Sequence, residues 1–220
     1  MKIVNECIQK HLGELVSHPL FTEMKPNPDL SRALAFAEVL APWVMTFQDI
    51  TRINASLAKD PEIRATLATH AREDRGHQEW FLDDLDLIFG ERVRDVRWLY
   101  DPALDVVREE SLAIASEIFR VDDDRLRIVF VEALEAAAGA FIARVCRQAA
   151  ESGDDGKLKY FGPVHAEAES GHEMFEDEER DEEVLPDDVR ERALPMVGRI
   201  FGSFLRMADV AFAKQSAANA

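Results

Sequence analysis

Two similar octapeptides carry the side chains best able to do chemistry in this chain. HAREDRGH runs from His70 to His77 and HAEAESGH from His165 to His172, so both follow the pattern H-A-x-x-[D/E]-x-G-H. Each holds two imidazoles and one carboxylate at positions i, i+4 and i+7, which share one face of an α-helix. The repeats therefore predict two helical faces that each present nitrogen and oxygen ligands.

The residues around the repeats predict that both faces point into the protein. Apolar side chains continue each stripe, with Ile63, Leu67 and Phe81 around the first repeat and Leu158, Phe161 and Phe175 around the second. Burying two imidazoles and a carboxylate on each helix would cost on the order of several kcal/mol unless these groups had a binding partner. A divalent metal ion is the simplest partner, and imidazole together with carboxylate suits iron, manganese or zinc.

A dinuclear centre is the arrangement that this ligand set favours. Helical bundles build such centres from Glu-x-x-His units on facing helices, and Asp74-x-x-His77 and Glu169-x-x-His172 are two units of this kind. Either Glu132 or Glu135, on an otherwise apolar or small stripe, could bridge two ions. The candidate metal ligands are His70, Asp74, His77, Glu132, Glu135, His165, Glu169 and His172.

A single H-x-x-x-[D/E]-x-x-H pattern on a helix is more often a hydrogen-bonded polar patch than a set of metal ligands. Two copies favour the metal interpretation, because four of the six histidines fall in the repeats. The remaining two, His11 and His18, are interpreted as an exposed helix residue and a turn residue.

The elements that must position these residues are predicted to be helices throughout, in an all-α class with a single domain over residues 1–220. Seven helices are expected. Their approximate bounds are Ile3 to Leu15, Asp29 or Ser31 to Ala58 with a kink at Pro42, Asp60 to Phe89, Val106 to Phe119, Asp122 to just before Gly153, Lys157 or Pro163 through the second repeat, and Pro186 to Ala213.

Composition narrows the function classes. A formal charge of −17 disfavours nucleic acid and anionic membranes as partners, since both repel an acidic protein. The N-terminus lacks the apolar segment of a signal peptide, no run predicts a membrane span, and two cysteines are too few for a disulfide framework. We therefore expect a cytoplasmic protein with a small-molecule substrate, while a homodimer stays open.

The ordered set of motifs resembles the heme-oxygenase-like diiron oxidases and oxygenases. The shared features are HPLF (residues 18–21), the D-x-x-H on the third helix, the Glu within LEAAAGAF on the fifth, and the H-x-x-x-E-x-x-H on the sixth. The resemblance implies a seven-helix heme-oxygenase-like bundle, two iron ions with manganese or zinc as substitutes, and dioxygen as co-substrate. It also implies oxidation of a small amino-acid-like or fatty-acid-like molecule.

Carried over by motif, the ligands implied are Asp74 and His77, then Glu132 or Glu135, then His165, Glu169 and His172. The chain departs from the family in having Asp where Glu is common, and it offers His70 and Glu73 as further candidates. Of all the ligands, those on the third helix are therefore the ones that the resemblance defines least.

Three alternatives remain at this point. A TenA-type, metal-free thiaminase-like hydrolase needs a cysteine in its pocket, for which Cys146 with Tyr160 is available. A heme oxygenase needs an axial histidine on the first helix, for which only His11 or His18 could serve. A non-catalytic helical module would use the two repeats as a structural metal clamp.

Overall fold

A computed structural model describes residues 1–91, 95–154, 156–170 and 185–220, without the side chains of Glu169 and Ser170. Within these ranges every regular element is helical and no strand occurs, which confirms the predicted all-α class. Two predicted ligands, the Glu169 side chain and His172, lie outside the described residues. The acidic run from Glu176 to Glu183 lies outside them as well.

The N-terminal part differs from its predicted helices. It contains α1 (Lys2–Val16), α2 (Pro19–Thr22), α3 (Leu30–Ala33), a 3₁₀ turn (Ala37–Leu40) and α4 (Ala41–Leu57). The single helix with a kink at Pro42 was therefore wrong. Pro42 lies in the first turn of α4, where the missing N–H costs no hydrogen bond.

The predicted third helix is also interrupted, within the first repeat. Helix α5 (Pro61–Glu73) is capped by the Asp60 carboxylate, which accepts the N–H groups of Glu62 and Ile63, and helix α6 begins at His77 and runs to Phe89. Gly76 separates the two helices with φ of 106°, a left-handed conformation that glycine adopts without steric cost. His77 therefore starts a new helix and does not share the α5 face of His70.

The second half of the chain follows the prediction closely. After short 3₁₀ turns at Trp98–Tyr100 and Pro102–Leu104 come α7 (Asp105–Arg120), α8 (Asp124–Glu151), α9 (Pro163–Ser170) and α10 (Asp187–Asn219). Asp123 caps α8 by accepting the N–H of Arg125, as the Asp122–Asp124 signal indicated. Helix α10 continues past the predicted end near Ala213.

Helix α8 lies in the interior and positions the site. It packs against α1, α5, α9 and α10, and its Val129, Phe130 and Leu134 are fully buried. A glutamate on α8 can therefore reach side chains from both repeats. Among the described helices, none is both long enough and apolar enough to cross a membrane.

Candidate metal centre

The first repeat and helix α8 form a buried cluster of one imidazole and two carboxylates. His70 is fully buried and Asp74 is 2% exposed. His70 Nδ1 lies 3.3 Å from Asp74 Oδ2, and its Nε2 lies 3.1 Å from Glu135 Oε1. One ligand atom from each of the three residues lies within 4.8 Å of the others.

The arrangement of this cluster suits a cation. A neutral imidazole carries a proton on one nitrogen only, whereas both nitrogens of His70 face carboxylate oxygens that can only accept a hydrogen bond when ionised. A proton, giving an imidazolium, or a metal ion close by can supply the missing positive charge. The cluster therefore suits a cation held by largely buried side chains.

His165, from the second repeat, is held in the tautomer that suits metal binding. Its side chain is buried, and Nδ1 lies 2.9 Å from the backbone oxygen of Tyr160. Because a carbonyl oxygen only accepts, Nδ1 must carry the proton, and the neutral ring presents its lone pair at Nε2. Fixing one imidazole nitrogen on a carbonyl is the usual way in which proteins orient a metal-binding histidine.

His77 meets His165 across the interface between α6 and α9. Their ring centroids are 4.5 Å apart, and His77 also stacks on Trp80 at 4.7 Å. The break at Gly76 reorients the chain, and this turn allows His77 to reach the second repeat although it does not share the face of His70. One histidine of each repeat, His77 and His165, therefore lies beside the other.

Asp84 positions the turn before α9, a role that sequence reasoning missed. Its fully buried carboxylate accepts the N–H of Lys159 at 2.8 Å and that of Phe161 at 2.9 Å. Burial raises the pKa of Asp84, and the hydrogen bonds from the backbone of residues 159–161 offset part of that rise. The available signal was an Asp on the apolar stripe of Phe81, Leu85 and Ile88.

Gly162 completes this turn for a steric reason. A Cβ atom placed on it would lie 1.9 Å from the backbone oxygen of Leu158, a distance that no side chain tolerates. The Cys146 thiol donates to the Gly162 oxygen at 3.3 Å. Together with Asp84, these contacts fix the chain from which His165 projects.

Some carboxylates of α8 and of the first repeat belong to the buried cluster, and others lie outside it. Glu135 belongs to the buried cluster, whereas the half-buried Glu132 lies about one turn earlier and does not line the cavity described below. Glu73, a further candidate from the sequence, is exposed at the end of α5. The structure thus brings together His70, Asp74 and Glu135, and separately His77 and His165; Asp74 and Glu135 line the same cavity as the two histidines.

The cluster opens onto a cavity with mostly apolar walls. Asp74, His77, Glu135 and His165 line this cavity, whose empty space is about 920 Å³ including the part open to solvent. Aromatic and aliphatic side chains supply most of the remaining wall, among them Phe21, Trp43, Phe47, Phe141, Ile142, Phe204 and Met207. No lysine, arginine or cysteine from the described part of the chain lines it.

Neither a protein-family model nor a curated protein matches the chain.

Proposed function

We propose that the protein is a non-heme dinuclear iron oxidase or oxygenase, built on a seven-helix heme-oxygenase-like bundle, that oxidises an apolar small molecule. The observation that carries the proposal is a set of imidazoles and carboxylates from α5, α6, α8 and α9 at the wall of an apolar cavity. Concave apolar sites with a few convergent polar groups are the usual places for small-molecule chemistry.

The donor atoms fit iron, manganese or zinc. Neutral imidazole with carboxylate suits ferrous iron, manganese or zinc, while a copper or zinc thiolate site would need cysteines that the cavity lacks. We assign metal binding to Asp74, His77, Glu135 and His165, with His70, Glu169 and His172 as further ligands and Glu132 as the alternative carboxylate on α8. Bound iron would supply the electrons that reduce dioxygen.

The chain's own residues orient the ligands and exclude water. The Tyr160 carbonyl holds the proton of His165 on Nδ1, and the Asp84 carboxylate holds the turn from which His165 projects. Trp43, Phe47 and Phe204 pack edge to face, with centroids 5.0 to 5.3 Å apart, and form a rigid apolar wall. Such a wall binds substrate by burial of apolar surface and keeps competing water away from the centre.

The lining also favours one substrate class. Since no cationic side chain of the described residues lines the cavity, a substrate carboxylate would find no guanidinium or ammonium partner there. Gln48 and Gln78 offer neutral hydrogen bonds instead. The carboxylate of a fatty acid and that of an amino acid would both depend on such neutral donors, but the apolar wall matches the long hydrocarbon chain of a fatty-acid-like molecule and not the small polar body of an amino-acid-like zwitterion.

The placement of other residues disfavours two of the alternatives. Cys146, the only candidate for a TenA-type nucleophile, lies outside the cavity wall and donates to Gly162. His11 stacks on Phe201 and pairs with Glu14, and His18 caps α2 and pairs with Asp209, so neither lines the cavity as an axial heme ligand would. A structural metal clamp would use the same ligands as the proposed enzyme. It would differ from the enzyme only in that it does not react with dioxygen.

Metal analysis and dioxygen consumption test the proposal together. Iron-loaded protein should contain about two iron ions per chain and consume dioxygen, and His77→Ala should lower the rate by about 100-fold while helical content is retained. His11→Ala removes an imidazole outside the cavity, and Cys146→Ser removes the thiol but keeps a donor for the Gly162 oxygen, so both should keep the wild-type rate. Iron binding without dioxygen consumption would favour the clamp, and a substrate hydrolysis that is lost in Cys146→Ser but kept in His77→Ala would favour the hydrolase.

A further inference from the structure

An arginine-lined groove lies between α4 and α5, outside the cavity wall. Arg52 comes from α4, Arg64 and Arg72 from α5, and Arg75 from the turn between α5 and α6. The empty space of this groove is about 1130 Å³ including open solvent, and no Asp or Glu of the described chain lines it. We refer to these four side chains and the space between them as the arginine groove.

Four arginines around one groove are unusual in a protein with so large a negative net charge. The chain has 43 acidic against 26 basic residues and a net charge of −17. Gathering four guanidinium groups around one concave surface brings like charges together, which is unfavourable unless an anion occupies the space between them. Asp49 pairs with Arg52 at 2.8 Å from beside the groove and offsets only one of the four charges.

We propose that the arginine groove is a binding site for a small-molecule oxyanion, a phosphoryl or carboxylate group. The planar guanidinium presents five N–H donors in a fork that matches both groups, which makes arginine the usual residue for their recognition. A concave groove favours a small ligand, and the net charge of −17 disfavours a nucleic acid as the source of the phosphate.

Local contacts hold three of the four guanidiniums in place. Arg64 donates through Nε and Nη2 to the backbone oxygen of Ala58, at the end of α4. Arg72 Nη2 donates to Thr69 Oγ1 at 2.8 Å, and Arg52 to Asp49 as described. Each contact uses only part of the five donors, so every guanidinium keeps N–H groups for a ligand, and all four arginine side chains are exposed to solvent.

The floor of the groove leaves room for a ligand. It contains the small side chains of Ala55, Ala68 and Ala71, so an anion can approach the backbone of both helices. Gln48 lines both the groove and the apolar cavity, and Arg72 and Arg75 flank Asp74 in sequence. The site therefore lies next to the candidate metal centre, but its existence does not depend on the proposed function.

Titration calorimetry of the full-length protein with inorganic phosphate, and separately with succinate, tests the site at low ionic strength. At least one of the two anions should bind, and the one that binds more tightly identifies the group recognised. Arg72→Gln with Arg75→Gln should weaken binding by at least about tenfold, because two of the four forks are removed. The control pair Arg97→Gln with Arg147→Gln lies outside the groove, changes the net charge equally, and should leave binding within about twofold.

Two results would overturn the site. One is the absence of binding by both anions up to about 10 mM, a range in which even weak sites are detected. The other is an equal loss of affinity in both double variants, which would mean that binding reports only overall charge. Arg72→Lys with Arg75→Lys guards against misfolding: it keeps the charge, and it should still weaken binding because the fork is lost.

Discussion

At the scale of single residues, the centre depends on groups that are not themselves ligands. Asp84 is a buried carboxylate far from the second repeat in sequence, yet it accepts the backbone N–H groups that shape the turn before His165. Tyr160 contributes its backbone oxygen, which selects the His165 tautomer. Both contacts orient the chain around His165 before a metal binds, so less ordering is needed on binding.

Asp84→Asn tests this role through the pH dependence of stability. Burial raises the folded-state pKa of Asp84 above the ordinary value of an aspartate, so between the unfolded and folded pKa values the folded protein holds more protons than the unfolded chain. Raising the pH through that window therefore lowers the free energy of unfolding of the wild type. The variant lacks this contribution, because Asn does not titrate. The wild type should exceed the variant by about 1–3 kcal/mol near pH 4, and the margin should shrink as the pH rises.

Urea unfolding curves at several pH values, recorded without added metal, measure that margin. A margin that grows with pH would mean that the backbone hydrogen bonds, which act to lower the pKa, outweigh burial.

At the scale of elements, two glycine turns bring the repeats together. Gly76 lies in the turn after α5 and redirects the chain so that α6 begins with His77, and Gly162 allows the tight turn that enters α9. The positions of His77 and His165, which lie side by side, therefore depend on these two turns as well as on helix periodicity.

Gly162→Ala tests the second turn. The added Cβ would overlap the Leu158 oxygen, so the turn must open and His165 must move. We expect at least about 3 kcal/mol of destabilisation and a loss of metal affinity of about 10–100-fold, measured by urea unfolding and by manganese titration.

Gly13→Ala is the matched control, because Gly13 lies in α1 with no atom within 4 Å of an added Cβ. There the same change should stabilise the protein by about 0.5–1 kcal/mol and leave metal affinity unaltered. Equal effects of the two substitutions would contradict the role given to the Gly162 turn.

Much of this arrangement could be predicted from sequence, because local signals define it. Asp60 followed by Pro61 and the aspartates before α8 gave the helix starts correctly, and the apolar stripes placed His70 and His165 inside. The break at Gly76 was missed, since a glycine at helical spacing does not reveal its φ angle. The role of Asp84 was missed because its partners lie at residues 159–161, and no local pattern records so distant a contact.

At the scale of the whole molecule, electrostatics should make the protein sensitive to divalent cations. The chain carries a net charge of −17, and the cluster of His70, Asp74 and Glu135 gathers carboxylates in a buried place. A cation that binds only the folded state stabilises it by mass action. Binding and folding are thus coupled through the same residues.

Thermal melting measures this coupling. Ferrous iron or manganese at about 100 times its Kd should stabilise the protein by about 2.7 kcal/mol per site, which corresponds to roughly 5–10 °C for a chain of this size. Calcium at the same concentration should have a much smaller effect, since it prefers oxygen ligands without imidazole. His165→Ala should remove most of the gain from iron or manganese, and an equal gain from calcium would indicate binding at the acidic surface instead.

The most direct measurement is an anomalous difference map from crystals of the iron-loaded protein, recorded on both sides of the iron absorption edge. We expect two peaks inside the bundle. They should lie about 2.0–2.3 Å, the usual metal–ligand distance, from nitrogen or oxygen atoms of Asp74, His77, Glu135 and His165. The same peaks should be absent from crystals of His165→Ala. Peaks confined to surface carboxylates, or a fully iron-loaded crystal with none beside His165, would contradict the assignment of this cavity as a metal centre.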